Sequence, residues 1–349
     1  MAIANQLITW YKKNGRDLPW RHTKDPYIIW LSEIILQQTR VEQGLPYFYK
    51  FVEEYPSVQD FAEAQEDDLL RLWQGLGYYS RVRNMHKAAK MVMSQFQGKF
   101  PSRYEDAIQL TGVGEYTAAA IASFSQNQAK AVLDGNVFRV LTRYFGIDTP
   151  INSSAGKKQF QHIADELIPL AEPGLYNQAI MDFGAIVCKP KLPDCGNCPL
   201  RMNCVAYSNN QISQLPVKTK GKASRNRYFN YFIVEKDQQI LLTKREDNDV
   251  WANMYEFPLL ETELELVSNE LQQLPAFQEY FSGSSIQQIG EPVKHILSHQ
   301  NIYARFYRIV DGIDLIKKNP SWNYYNSDNL DKLAKHKLIF SFINKYLNY

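Results

Sequence analysis

Cys188, Cys195, Cys198 and Cys204 form a C-x6-C-x2-C-x5-C array and are the only cysteines in the chain. Four thiolates on one short segment can close round a cubane iron–sulfur cluster or a tetrahedral zinc ion, and spacing alone leaves both open. A disulfide framework would more often spread its cysteines along the chain, and a reducing compartment would keep them as thiols. Lys189, Lys191 and Arg201 decorate the same loop, where they could present cations to a phosphate backbone.

Two carboxylates stand in patterned surroundings. Glu33 lies in Trp30–Val41 (WLSEIILQQTRV), and on a helix its neighbours three and four residues away are Ile29, Trp30, Leu36 and Gln37. A glutamate on so apolar a face should be desolvated, which raises its pKa and suits it to donate a proton near neutrality. The alternative is a structural pairing with a buried arginine. Asp134 lies in Val132–Val140 (VLDGNVFRV) and on its own reads as a turn aspartate before Gly135. Between the carboxylates, Leu110–Ala118 (LTGVGEYTA) offers a tight turn at Gly112 and Gly114, with a new helix starting near Tyr116. Such a turn aims backbone N–H groups at an anion, although GVG alone is often an ordinary interhelical connection.

The elements that must carry these residues are helical from Ala2 to about Tyr207. Apolar residues recur at three- and four-residue spacing in Ile28–Gln38, Leu69–Trp73, Met85–Phe96 and Tyr116–Phe124. Pro216–Arg227 (PVKTKGKASRNR) is basic and nearly free of apolar residues, and reads as an exposed linker, either a solvated tether or a segment that lies along phosphates. Beyond it the pattern becomes mixed. Tyr228–Val234 and Gln239–Thr243 are strand-like and joined as a hairpin by Glu235–Gln238, Asn301–Val310 is another strand, and Glu265–Gln273 and Ser327–Asn344 are helical candidates. A chain of 349 residues favours two domains. The division expected is a helical domain at 1–215, a linker at 216–227 and an α/β domain at 228–349. Its 45% hydrophobic and 22% charged residues are those of a soluble globular protein, no apolar run is long enough to span a bilayer, and the N-terminus lacks a secretory pattern. An intracellular protein is expected. The net charge of +2 excludes nothing, because nucleic-acid binding depends on local charge.

Together these motifs resemble the MutY family of adenine glycosylases. The cysteine spacing is similar to the 4Fe–4S loop of endonuclease III and MutY enzymes, here 188–204. Leu110–Ala118 resembles the helix-hairpin-helix of the DNA glycosylase superfamily, here 108–122, and the stretch from Arg16 (RDLPWR…DPYIIWLSEIILQQTRV) resembles the MutY signature. The resemblance implies an all-α helix-hairpin-helix glycosylase core with an iron–sulfur loop, followed by an α/β Nudix-like domain. Glu33 then matches the acid that protonates adenine N7. Asp134 matches the carboxylate that stabilises the oxocarbenium ion formed when the glycosidic bond breaks. Tyr116 stands where bifunctional relatives keep a lysine that attacks the sugar, so a monofunctional enzyme leaving an abasic site is implied. Tyr116 and Asn136 match positions that flank Asp134 and orient the intermediate and its water. Trp20, Arg21 and Gln178 match the adenine pocket; Gln38 and Tyr78 match residues that wedge into the stack when a base is flipped, and Thr39 adjoins them on the DNA side. Gly112 and Gly114 match the hairpin that grips a phosphate, and the backbone carbonyls of Ile108, Leu110 and Val113 match a monovalent-cation site.

In the C-terminal part, Val250–Leu259 (VWANMYEFPL) resembles the W…EFP segment of the Nudix fold, while Glu261–Gln273 holds nothing like the REUxEExGU metal helix. A shell without hydrolase activity is implied. His295–Gln300 (HILSHQ) matches the loop that reads 8-oxoguanine, with Ser298 and His299 as readers and Leu297 where the family more often has Phe. The partner implied is double-stranded DNA bearing A opposite 8-oxoguanine or G, bound by a cytoplasmic, nucleoid-associated bacterial monomer. The competing readings are an endonuclease III-like pyrimidine glycosylase and lyase, a DNA-damage binding module without activity, and a Nudix phosphohydrolase.

Overall fold

A computed structural model describes residues 2–221, 223–246, 249–313, 317 and 319–347. The chain divides into two compact units, Met1–Glu63 with Asn84–Lys220, and Ala64–Arg83 with Gly221–Tyr349. Lys222 of the basic segment lies outside the described residues.

The helices run α1 (Ala2–Asn14), α2 (Pro26–Ile35), α3 (Val41–Glu54), α4 (Val58–Glu63), α5 (Glu66–Leu72), α6 (Ser80–Gln95), α7 (Tyr104–Ala107) and α8 (Glu115–Gln126). They continue as α9 (Gly135–Phe145), α10 (Ser154–Leu167), α11 (Pro173–Ile186) and α12 (Val205–Ser208). Local chemistry sets their starts. Asp25 accepts from Tyr27 N–H with Pro26 in the first turn of α2, Asp134 accepts from Asn136 and Val137 N–H at α9, and Ser153 accepts from Gly156 N–H at α10. Helix α8 buries Thr117, Ala118, Ala119, Ala120, Ile121, Ala122, Ser123 and Ser125. Side chains that small let α2, α7 and α11 approach it, which makes α8 the central rod of its unit. Leu7, Val137, Leu141, Phe160, Ile180 and Phe183 fill the core between α1, α9, α10 and α11.

The basic segment is less free than its composition suggests. Val217 carbonyl accepts from Ile151 N–H, Thr219 bonds Asn152 in both directions, and Arg225–Arg227 already belong to a strand.

In the second unit the strands are β1 (Arg225–Ile233), β2 (Glu235–Lys236), β3 (Gln239–Lys244), β4 (Tyr255–Glu256), β5 (Leu259–Thr262), β6 (Ser285–Gln288), β7 (Val293–Ile296), β8 (Gln300–Asp311) and β9 (Trp322–Asn326). One sheet runs β5-β1-β8-β6 with β7 also on β8; the other runs β2-β3-β4 with β9 on β3. The hairpin expected between Tyr228–Val234 and Gln239–Thr243 is corrected. Its turn is real, with Asp237 and Gln238 left-handed at φ 51° and 59°, but the arm pairing β3 is Glu235–Lys236. Strand β1 instead lies parallel to β8 and antiparallel to β5, so the chain changes sheets at Val234.

The helix expected over Glu265–Gln273 begins only at Ser268, as α13 (Ser268–Gln273), followed by α14 (Pro275–Phe281). The one expected over Ser327–Asn344 is broken into a 3-10 turn, Ser327–Lys332, and α15 (Lys337–Tyr346). Between these two pieces Lys335 bridges to Tyr255 and its ammonium donates to the carbonyls of Leu330 and Leu333, which ends the first piece.

Candidate active site

Glu33 sits near the end of α2 with its side chain buried, 6% exposed. The Tyr116 hydroxyl, in the first turn of α8, donates to Glu33 Oε2 at 2.5 Å. Burial pushes the Glu33 carboxyl up to about 7; the bond from Tyr116 and the charge of Arg21 oppose this, and Asp134 reinforces it. Asp134 is both helix cap and cavity carboxylate. Its Oδ1 accepts from the N–H groups of Asn136 and Val137 at 2.9 and 2.8 Å, and its Oδ2 accepts from Asn136 Nδ2 at 2.7 Å. Burial raises its pKa, with those bonds and Arg139 pulling the other way.

A cavity of about 490 Å³, the size of a small-ligand pocket, opens over these groups. Trp20, Arg21, Glu33, Thr39, Tyr116, Asp134, Asn136 and Gln178 all line it. Residues scattered from Trp20 to Gln178 in the chain therefore face one space. Helices α9 and α11 come unusually close beneath it: a Cβ on Gly184 would stand 2.7 Å from Asn136 Cβ. Arg139 locks that approach by donating from Nη2 to Asn136 Oδ1 and Gly184 carbonyl, both at 2.7 Å, and from Nε to Cys188 carbonyl at 2.6 Å.

The remaining singled-out residues lie elsewhere. Gly112 has φ 78°, and a Cβ there would meet Asn84 at 2.7 Å, so the turn requires glycine. Gly114, the N-cap of α8, is extended at φ −95° and imposes no such need. Leu110 and Val113 are buried, Ile108 is half-buried, and Leu110 carbonyl accepts from Val113 N–H. Gln38 is exposed with a left-handed backbone at φ 56°. In the second unit, Ser298 and His299 are the two-residue tip of the β7–β8 hairpin, closed by Leu297 N–H on Gln300 carbonyl at 2.9 Å. They share a second cavity, about 270 Å³, with Tyr78, Arg83, Asp249 and Trp251. Ser298 Oγ lies 3.4 Å from the Tyr78 hydroxyl. Gly77 carbonyl accepts from Trp73 Nε1 and Arg81 Nη2, which pins the loop that carries Tyr78.

Comparison with known proteins bears on this arrangement. The profile of HhH-GPD superfamily base excision DNA repair proteins matches residues 31–169, and that of the NUDIX domain matches 230–345. An adenine DNA glycosylase of Buchnera aphidicola subsp. Schizaphis graminum is 37% identical over 76% of this chain and 77% of its own. Another, from Buchnera aphidicola subsp. Baizongia pistaciae, is 33% identical over 94% of this chain and 92% of its own. The chain belongs to the adenine DNA glycosylase family. Among solved structures, a thermostable thymine-DNA glycosylase aligns with TM-score 0.56 and 29% identity, over 60% of this chain and 96% of that one.

The four cysteines lie on the one stretch 188–204, where Cys188 acts electrostatically on each of the other three. All are half-buried thiols, and burial pushes Cys198 up to about 11 and Cys195 and Cys204 upward, each further raised by Cys188. Arg143 Nη1 donates to Cys188 Sγ at 3.4 Å, Leu200 N–H faces Cys198, and Tyr207 and Ala206 N–H groups face Cys204. Thiols ringed by N–H donors and a guanidinium are a donor set suited to anionic metal–thiolate chemistry. Among the described residues, no three His, Cys, Asp or Glu converge closely enough to hold a metal ion.

Sequence reasoning missed two residues that shape this cavity, one in its lining and one behind it. Arg139 lies three residues after Asn136, a helical spacing that puts both on one face. Asp182 lies four residues after Gln178, on the same face of α11, and binds Arg16 and Arg21.

Proposed function

We propose that this protein is a monofunctional adenine glycosylase of base-excision repair, which binds duplex DNA and removes adenine mispaired with 8-oxoguanine or G. The observation that carries this reading is the buried Glu33 carboxyl, bonded by the Tyr116 hydroxyl and lining one cavity of about 490 Å³ together with the Asp134 carboxylate. Glu33, protonated for much of the time near neutrality, donates to N7 of the flipped adenine, so the base departs uncharged. Asp134, held by Asn136 and the start of α9, places negative charge where the sugar becomes an oxocarbenium ion. Trp20, Arg21 and Gln178 enclose the base. The hydroxyl of Tyr116 supports a monofunctional outcome, because a phenol at this hairpin position cannot form the imine on which strand nicking depends.

The helix-hairpin-helix at 108–122 is assigned to a phosphate, with the Ile108, Leu110 and Val113 carbonyls as its candidate cation ligands. Gln38 and Tyr78 are assigned to the gap left in the stack, and Ser298 and His299 to the base opposite adenine. Cys188, Cys195, Cys198 and Cys204 are assigned to a 4Fe–4S cluster. The Arg143 guanidinium and the N–H groups of Leu200, Ala206 and Tyr207 beside these thiols would stabilise the negative charge of such a cluster. The bound cluster would order the loop that carries Lys189, Lys191 and Arg201.

The test is release of adenine from parallel duplexes with A opposite 8-oxoguanine, G and T. Glu33→Gln and Asp134→Asn should keep mismatch binding and lose cleavage by more than about 100-fold. Either variant cleaving at the parent rate would overturn the corresponding role.

A further inference from the structure

We propose that Asp182 is a positioning residue for base cleavage: its buried carboxylate neutralises and orients Arg16 and Arg21, so the cavity offers a base fixed N–H donors rather than free cationic charge beside Glu33. The inference rests on the reading of Glu33 as the acid.

The Asp182 side chain is 0% exposed and accepts five hydrogen bonds. Three come from Arg16, from backbone N–H at 2.9 Å, Nε at 3.0 Å and Nη2 at 2.6 Å. Two come from Arg21, from Nη1 at 2.7 Å and Nη2 at 2.6 Å. Burial works against this carboxylate, yet the bonds from Arg21 and Arg16 hold it below the usual aspartate range. Arg21 Nη1 also donates to Arg16 carbonyl at 2.9 Å, and Arg21 bonds the Tyr11 side chain as well, so most of its five N–H donors are committed to the wall and the guanidinium is held in one orientation. The guanidinium carbon stands 5.5 Å from the centre of the Tyr11 ring, and the Tyr11 hydroxyl donates to Gln178 Oε1 at 3.0 Å. One buried charge thus sets the direction of Arg21 and, through Tyr11, supports that of Gln178.

The electrostatic consequence falls on Glu33. Charged or titratable groups facing it are Tyr116 from α8, Asp134 from the start of α9 and Arg21 from the 3-10 turn Pro19–Arg21. Arg16, Arg40, Glu42 and Arg139 stand elsewhere on the same cavity wall. With Asp182 counted in, the cluster it forms with Arg16 and Arg21 carries one net positive charge. Without it they carry two, and the added cation favours the ionised form of Glu33, leaving less acid at neutral pH. Removing Arg16 does the opposite.

Adenine release under single-turnover conditions with excess full-length enzyme, followed from about pH 5 to about pH 9, reads both signs. Asp182→Asn should move the basic limb of the profile down by about one pH unit, and Arg16→Gln should move it up. A purely structural role predicts slower cleavage at every pH with the limb unmoved, and that result overturns the proposal. Should Asp182→Asn fail to fold, Arg16→Gln decides alone: a limb that stays or moves down overturns it. Glu33→Gln separates the two readings. If that variant cleaves like the parent, the acid assignment fails and this inference with it; if it is inactive while neither limb moves, only the role of Asp182 fails.

Discussion

The bond from Tyr116 to Glu33 stabilises the ionised form of a carboxyl that its burial otherwise keeps protonated. Tyr116→Phe removes it without changing the ring, so burial and Asp134 act on Glu33 with only Arg21 opposing. The basic limb of the cleavage profile should move upward from about 7, and a limb that stays or falls would show that the hydroxyl does not control the acid. Glu33 also links pH to stability. Its rise from the ordinary 4.5 to about 7 means the folded state holds the proton more tightly than the unfolded chain. This contribution is full below about 4.5 and is lost as pH climbs through about 7, on the order of 3 kcal/mol at most. Denaturant titrations should therefore show Glu33→Gln gaining on the parent as pH rises across that window; a constant difference would contradict the burial argument. Glu33 was legible because its surroundings are local, Ile29 and Trp30 on the same helix and Leu36 at its C-cap. Asp182 was not, because its partners Arg16 and Arg21 are more than 160 residues away and leave no trace in the pattern around it.

Among the elements, the caps were the readable part. Asp134 before Gly135 read, taken alone, as a turn aspartate, and it caps α9; Gly112 and Gly114 read together as a tight turn, and of the two only Gly112 is left-handed. Strand partnership was not readable. Alternation marks β1 and β8 as strands, but nothing in either says that they lie parallel, with Tyr228 opposite Tyr303. The β7–β8 hairpin shows the same limit: its strand β8 was visible, while β7, only four residues long, was not. Ser298 and His299, exposed at its tip, have little to hold in the fold, so replacing both with Ala should leave the thermal midpoint nearly unchanged. The double variant should instead narrow the preference for A opposite 8-oxoguanine over A opposite G by roughly 1–3 kcal/mol. Measuring both duplexes at matched salt checks this, and an unchanged ratio would remove the tip from recognition.

At the scale of the molecule, the second unit is assembled from two stretches of chain. Lys244 Nζ meets Asp67 Oδ1 at 2.7 Å, Asn253 Nδ2 meets Glu66 Oε1 at 2.8 Å, and Arg83 Nη1 donates to Ala252 carbonyl at 2.5 Å. These bonds tie α5 and its neighbours to the strands. Full-length protein carrying Lys244→Met and Asn253→Ala should exchange the amide protons of Glu66–Leu72 faster, by roughly threefold to tenfold, and equal rates would show that other contacts hold the helix.

The same arrangement imposes a delay during synthesis. Residues 64–83 leave the ribosome about 140 residues ahead of the segment they pack with. At roughly 5–20 residues per second, that is a wait on the order of ten seconds. During it Glu66, Asp67 and Arg83 have none of the partners in 244–253 described above, while the residues from Asn84 onward can already begin to fold. A nascent chain stalled near residue 220 therefore holds the four cysteines and every residue lining the larger cavity, but not the strands that secure α5.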